Sequence, residues 1–201
     1  MTWKPLLTGS LLERAREALA EISSSLESGP LPHAQTDWPE RIVRTRTASL
    51  GGGFASLALY FGYLRQTSGE ERHAHTGLDL LDRATEVASS ERMESSLYTG
   101  FTGIAWTSVH LAGRIYPQPA EDSHLEADEL LLEHITRMRR PLGFDLIGGL
   151  TGIGVYALER LPRPSARRIL EAILDRLEDV SERTPSGTTW LTPPEAMAEY
   201  W

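Results

Sequence analysis

The hydrophobic positions of this chain alternate between two kinds of segment, and the alternation predicts an all-α protein. Amphipathic segments, with apolar residues three and four apart, cover residues 10–28, 70–88, 119–138 and 165–180. Segments that are apolar on every side cover residues 54–64, 101–112 and 150–161, which is typical of buried helices. Strand patterns are essentially absent. The polar stretches at residues 29–47 and 184–194 predict connecting loops.

A glycine-rich motif precedes each of the three apolar segments. Its copies span residues 49–58 (SLGGGFASLA), 96–105 (SLYTGFTGIA) and 145–154 (DLIGGLTGIG). The shared glycines, Gly53, Gly100 and Gly149, lie 47 and then 49 residues apart. A period of this length predicts a stacked array of supersecondary units. Glycine suits the tight turn into each inner helix and the close packing of helices.

These patterns together predict an α/α toroid, a ring of helical hairpins, formed by a single domain over residues 1–201. Inner helices would line the centre and amphipathic helices would cover them. The last amphipathic segment has an apolar stripe that no later segment covers, although helical arrays need closure or polar terminal units. We therefore expect an incomplete toroid.

Composition and charge narrow the classes of function. The chain has no cysteine, which excludes a disulfide framework and a zinc site built on its own thiolates. Its net charge of -8 argues against nucleic-acid binding, which needs a basic surface. No apolar run reaches membrane-spanning length, and the first residues lack a signal-peptide pattern. We expect a cytoplasmic protein without a membrane span.

In its three motifs the chain resembles the lanthionine synthetase C family, the cyclases of lanthipeptide biosynthesis. The Ser-Leu-x-x-Gly stretches look like the inner-helix repeats of that family, and residues 145–153 look like its aspartate-bearing repeat. Residues 190–194 resemble the segment just before the His-Gly repeat of the family. The resemblance covers the chain but only the N-terminal half of the usual family length, so we expect a truncated member.

The resemblance implies an α/α toroid that adds peptide cysteine thiols to dehydroalanine or dehydrobutyrine, forming thioether rings. In the family, two cysteines and a histidine bind zinc, and an aspartate and a histidine transfer protons. Only the aspartate has a counterpart here, Asp145, because the chain has no cysteine and no His-Gly repeat. The implied cofactor, zinc, therefore has no ligand set in this chain, and we expect the chain alone to be inactive as a cyclase.

Two interpretations of Asp145 stay open at this point. As the first residue of the third motif, it is a candidate N-cap of the following helix, as are Ser49 and Ser96 in the other copies. The family resemblance indicates instead a catalytic acid or base in a complete site. Both roles are compatible, because a helix N-terminus favours an ionised carboxylate.

Other residues give weaker signals. The six histidines lack a paired metal-binding spacing, and His110 is expected to be a hydrogen-bonded residue within an inner helix. Arg137, Arg139 and Arg140 form a basic cluster that would suit an acidic leader peptide, although a solvated helix end explains it as well.

Three functions remain. The first is a part of a cyclase acting on a dehydrated precursor peptide, together with a lanthipeptide dehydratase and a missing C-terminal half. The second is a non-catalytic peptide-binding or scaffold subunit completed by another chain. The third, a carbohydrate-processing toroid, would need two carboxylates flanking its substrate, whereas only one motif carries a carboxylate at its first position.

Overall fold

The computed structural model describes residues 6–28, 37–137 and 143–191. The chain divides into two compact units, residues 1–37 and residues 38–201. In the first unit the described structure is one helix, α1 (Gly9–Ser28). The prediction of a single domain over residues 1–201 stays a prediction.

The second unit contains seven further helices and a short hairpin within its described residues. They follow in the order α2 (Glu40–Ala48), α3 (Phe54–Ser68), α4 (Glu71–Ser90), α5 (Phe101–Leu111), α6 (Leu125–Arg137), α7 (Leu150–Glu159), α8 (Pro164–Asp179), β1 (Ser181–Thr184) and β2 (Gly187–Trp190). The prediction of an all-α protein is confirmed. None of the helices in the described ranges is both long enough and apolar enough to cross a membrane.

Within the second unit, the predicted alternation of inner and outer helices is also confirmed. The inner helices α3, α5 and α7 follow the three glycine motifs and pack in sequence, α3 on α5 and α5 on α7. The amphipathic helix α4 covers α3 and α5, and α8 packs on both α6 and α7. This arrangement is compatible with a segment of a toroid.

An apolar cluster of the described residues holds α6, α7 and α8 together. It consists of buried aliphatic and aromatic side chains from all three helices: Leu131, Ile135, Leu150, Ile153, Tyr156, Ala157, Ile169 and Ile173. Their spacing of three and four residues places them on one face of each outer helix, as the sequence pattern predicts. Leu174 is an exception, because it is 65% exposed.

A buried ionic network crosses the same three helices. Asp128 of α6 is 1% exposed and Arg160, just after α7, is 5% exposed. Arg160 donates to Asp128 Oδ2 at 2.6 Å and to both carboxylate oxygens of Asp122 at 2.9 Å. Tyr156 and Ser165 each donate to Asp128 at 2.6 Å. The hydrogen bond from Arg160 lowers the pKa of Asp122, which keeps this carboxylate ionised.

Mild acid is expected to destabilise the fold through His124 and His134. Burial lowers the pKa of both histidines below the ordinary value of 6.5, and Arg160 adds to the effect at His124. The unfolded chain then binds more protons, so this stability is complete above pH 6.5 and is lost as the pH falls toward the folded-state pKa values. Melting curves at roughly pH 7.5 and 5.5 should show the loss. The H124Q/H134Q variant should lose less between these two pH values, and an equal loss would contradict the expectation.

The polar stretch at residues 29–47, expected to be a loop, contains the helix α2. This helix begins after Pro39, has Glu40 in its first turn, and buries Thr45 and Ala48. Its packing against α4 stabilises a short segment whose own sequence pattern is weak. Residues 29–36 lie outside the described residues.

Two other boundaries differ from the prediction. Residues 181–190, partly assigned to a loop, form an exposed antiparallel hairpin in which Ser181 pairs with Trp190. Gly187 has a φ of 135°, which allows the tight turn between the strands. Helix α6 begins at Leu125 rather than near Pro119, because Asp122 ends the preceding loop by accepting from the His124 N–H at 3.1 Å.

Candidate functional site

The three glycine motifs meet on one surface, which we call the loop face (residues 49–53, 96–100 and 145–149). Backbone hydrogen bonds join the third residue of each copy to the next one. The Gly51 N–H donates to the Tyr98 carbonyl at 2.7 Å, and the Tyr98 N–H donates to the Ile147 carbonyl at 3.2 Å. The inner helices therefore all start from the same surface.

The motif glycines allow each loop to fold back on itself. Gly53, Gly100 and Gly149 are the N-caps of α3, α5 and α7, and each has an extended backbone with φ between -105° and -107°. A Cβ atom at any of them would lie closer than 3.0 Å to the carbonyl oxygen six residues earlier. The glycines are therefore required by close backbone approach and not by their φ angles.

A second glycine of the motif joins neighbouring repeats. A Cβ atom on Gly103 would lie 2.8 Å from Leu50 Cβ of the preceding repeat, and one on Gly152 would lie 2.8 Å from Leu97 Cβ. In the first two copies, the second residue of the motif thus packs on the eighth residue of the next copy. Leu146 is the equivalent leucine of the third copy, and it is 44% exposed.

Asp145, the site residue predicted from the sequence, lies on the loop face. Its Oδ1 accepts from the Ile147 N–H at 2.7 Å and from the Gly148 N–H at 2.8 Å. The Asp145 carboxylate thereby accepts from the N–H of Ile147, the third residue of its motif. In the other two copies, the N–H of the third residue donates to the next repeat instead. The described residues provide no hydrogen-bond donor to Oδ2.

The expected N-cap role of the first motif residue is wrong. The N-cap of α7 is Gly149, four residues after Asp145, and it has no side-chain cap. Asp145 and Ser96 instead accept from the N–H three residues later, at Gly148 and Thr99, which stabilises the turn before the helix. Ser49 differs again, because its hydroxyl donates to the Arg46 carbonyl at 2.8 Å.

The surroundings of Asp145 on the loop face are apolar and partly exposed. Tyr98 is 38%, Leu146 44% and Ile147 51% exposed. A groove of about 1,360 Å³ reaches this face, where Ser96, Thr99 and Gly148 line it. The rest of the groove is lined mainly by α2, α4, α5 and α6. A single carboxylate beside an apolar surface can position a peptide and exchange a proton with it.

No group of three or more His, Cys, Asp or Glu residues in the described ranges is placed to hold a metal ion. His110 lies in α5 and is hydrogen-bonded, as expected; its partners are Tyr63 of α3 and Glu159 of α7. Of the basic cluster, Arg137 pairs with Glu133, and Arg139 and Arg140 lie outside the described residues. His33 also lies outside them.

A helical-repeat protein with parallel inner helices and one shared loop face is the class that this fold defines. Within it, residues 45–199 match the family model described as lanthionine synthetase C-like protein. The match covers more than half of the chain, and the chain therefore belongs to that family. No curated protein has a matching sequence.

Proposed function

We propose that this protein acts in lanthionine formation, with the loop face holding a dehydrated precursor peptide beside Asp145. The position of the Asp145 carboxylate is the observation that carries the proposal. Asp145 is the first residue of the third motif. Two backbone N–H groups donate to its Oδ1, and no described residue donates to its Oδ2. Family membership supports the same function.

The groove and the apolar side chains support a peptide as the ligand. Typical small-molecule sites have volumes of about 300–1,000 Å³. The groove that reaches the loop face is larger, at about 1,360 Å³. Tyr98, Leu146 and Ile147 are partly exposed and provide apolar surface for peptide side chains.

The chemistry assigned to Asp145 is proton transfer. Addition of a thiol to the β-carbon of dehydroalanine or dehydrobutyrine forms a C–S bond and leaves an enolate. The enolate must then be protonated at its α-carbon. The hydrogen bonds from Ile147 and Gly148 fix the plane of the Asp145 carboxyl group. Oδ2 can then deliver or accept the proton with little loss of orientation.

The residues present do not fit the zinc that the family resemblance implies. The chain has no cysteine, and the described residues hold no cluster of three ligating side chains. Zinc prefers four ligands, and catalytic sites use three from the protein. We therefore assign no metal-dependent step to these residues. In this proposal the substrate thiol is activated by groups that the described residues do not supply.

A second candidate function, a peptide-binding subunit completed by another repeat unit, is favoured by the third motif. Leu50 and Leu97 pack on the glycine of the following copy, whereas Leu146 is 44% and Ile147 51% exposed. A further helical hairpin with glycine at the same motif position would cover them. In this proposal the added unit also extends the array toward the closed α/α toroid.

Replacing Asp145 with asparagine tests the proposal. The wild-type chain, complemented with a chain carrying the zinc-binding repeats, should close a synthetic peptide that holds one cysteine and one dehydroalanine. Asp145→Asn should lower the rate of ring closure by about 100-fold or more, because general acid–base groups contribute that much. The loss of free thiol, counted by alkylation and mass spectrometry, measures the rate, and zinc content should not change.

Glu171→Gln is the control, because Glu171 is an exposed carboxylate on α8 that lies outside the lining of the groove. Its rate should stay close to that of the wild type. Equal rates for Asp145→Asn and wild type would overturn the catalytic assignment. Peptide binding by the chain without ring closure in any complemented mixture would favour the subunit function instead.

A further inference from the structure

Three arginines line one side of the groove that reaches the loop face. Arg41 and Arg46 belong to α2, and Arg92 follows α4. Arg41 Nη1 donates to the Arg92 carbonyl oxygen at 3.1 Å, so α2 lies against the segment that holds Arg92. We call these three residues the arginine side of the groove. Helix α6 lines another side, because α2 packs on α4 whereas α6 packs on α8.

The arginine side is not neutralised by the protein itself. Arg44, also on α2, lies outside the groove lining and pairs with Glu91 at 3.0 Å. By contrast, no carboxylate among the described residues forms an ion pair with Arg41, Arg46 or Arg92. In a chain with a net charge of -8, three such cations on one groove create a local positive potential.

The carboxylates that line the same groove have other positions or partners. Glu91 pairs with Arg44, and Glu94 Oε2 accepts from the Thr99 hydroxyl at 3.3 Å. Glu126 belongs to α6 and therefore to another side of the groove. The groove thus keeps its positive charge on the arginine side.

Two of the guanidinium groups are already held in place. The Arg46 guanidinium carbon lies 4.5 Å from the centroid of the Trp38 ring, a cation–π contact. Arg41 is held by its hydrogen bond to the Arg92 carbonyl oxygen. A guanidinium has five N–H donors in a planar arrangement that matches a carboxylate, so donors remain for a ligand. Holding the side chains beforehand reduces the entropy lost on binding.

The arginine side adjoins the loop face. Arg92 precedes Glu94 by two residues, and Glu94 contacts Thr99 of the second motif. Thr99 and Gly148, three residues after Asp145, line the same groove. A single extended peptide can therefore contact the arginines with one segment and the loop face with the next.

We propose that the arginine side binds an acidic segment of the peptide substrate and thereby selects which residues of that peptide reach Asp145. This inference rests on the proposed function and names the chemistry of its ligand. A peptide fits better than a nucleic acid, because Glu94 and Asp145 would repel an anion that continued onto the loop face. A peptide can be acidic in one segment and neutral in the next.

Fluorescence anisotropy with the full chain tests the recognition without any ring closure. The probe is a labelled synthetic peptide with a run of aspartate and glutamate followed by alanine, serine and leucine. Its amide counterpart has asparagine and glutamine in place of the acids. The acidic probe should bind at least about tenfold more tightly at low salt, because it can form several arginine–carboxylate pairs. The preference should shrink as salt screens these charges.

Variants assign the preference to the arginine side. Arg92→Gln should weaken binding of the acidic probe by about two- to fivefold, as expected for one exposed ion pair. This variant keeps the backbone carbonyl that accepts from Arg41, so α2 should stay in place. The charge reversal R41E/R92E should prefer a probe with lysine in place of the acids. Arg168→Gln is the control, because Arg168 is exposed on α8 and lies outside the groove lining.

Several results would overturn the proposal. They are equal affinities for the acidic and amide probes, an unchanged affinity in Arg92→Gln, or an equal loss in Arg168→Gln. An oligothymidylate of the same charge that binds as tightly, and depends equally on Arg92, would overturn the assignment to a peptide. Asp145→Asn should still prefer the acidic probe. Because ring closure is measured separately by loss of thiol, this recognition and the proposed chemistry can fail independently.

Discussion

Replacing Asp128 with alanine should lower the free energy of unfolding by about 3–5 kcal/mol, one of the two largest effects that we expect from a single substitution in this protein. Asp128 accepts hydrogen bonds from Tyr156, Arg160 and Ser165, and it is 1% exposed. Without it, Asp122 is the one charged partner that the buried Arg160 guanidinium retains among the described residues. Leaving a buried charge partly uncompensated costs far more than losing a surface ion pair.

Urea denaturation with Glu171→Ala as the control measures the effect. Glu171 pairs with Arg167 on the exposed face of α8, where both side chains are more than half exposed. Its loss should cost about 0.5 kcal/mol or less. An Asp128→Ala variant no less stable than Glu171→Ala would contradict the importance of the network. Adding Arg160→Met to Asp128→Ala should recover part of the loss, because it removes a buried charge that Asp122 compensates only in part.

Replacing Gly152 with alanine should destabilise the protein by about 1–3 kcal/mol, although alanine is the better helix former. A Cβ atom there would meet the Leu146 carbonyl oxygen and would lie 2.8 Å from Leu97 Cβ of the preceding repeat. The Leu146 carbonyl belongs to a motif backbone and Leu97 Cβ is bonded directly to another, so neither atom can move without shifting a motif loop. The cost therefore comes from the contact between repeats.

Gly154→Ala is the matched control, two residues further along the same helix. The nearest atom to its added Cβ would be Ile173 Cδ1 at 3.8 Å, an ordinary van der Waals distance. Because alanine lowers the backbone entropy of the unfolded chain, this variant should be about 0.5–1 kcal/mol more stable than the wild type. Thermal melts of the two variants should shift in opposite directions. A Gly152→Ala variant that melts with or above Gly154→Ala would show that the repeats do not pack as described.

The sequence was sufficient to predict where the inner helices begin and that Asp145 lies beside the other two motifs. Apolar runs that lack an exposed face have few alternatives to a buried helix, so α3, α5 and α7 start where the motif predicts. The repeat also placed Asp145 on the same surface as the other two motifs. The capping role was wrong, because the close approach of backbones requires glycine at the N-cap itself.

The hydrogen bonds of His110 to the two neighbouring inner helices could also have been expected from the sequence. Tyr63, His110 and Glu159 align when the three motifs are superposed, and each ends an otherwise apolar segment. Aligned positions on neighbouring parallel helices lie side by side, so the alignment alone predicts that the three side chains meet. Their hydrogen bonds depend on side-chain rotamers, which periodicity does not specify.

Local sequence by itself therefore determined the helical repeat, its period, the inner and outer faces and the single motif carboxylate. Each of these features depends on residues that are three, four or about 48 positions apart, and at these separations the pattern can be read directly from the sequence. Tertiary structure alone decided the helix α2, the partners of Asp128 and the hydrogen bonds between loops. These features depend on contacts between segments that share no sequence pattern. A weakly predicted helix or a buried charge is stable only when its partner in the fold is in place.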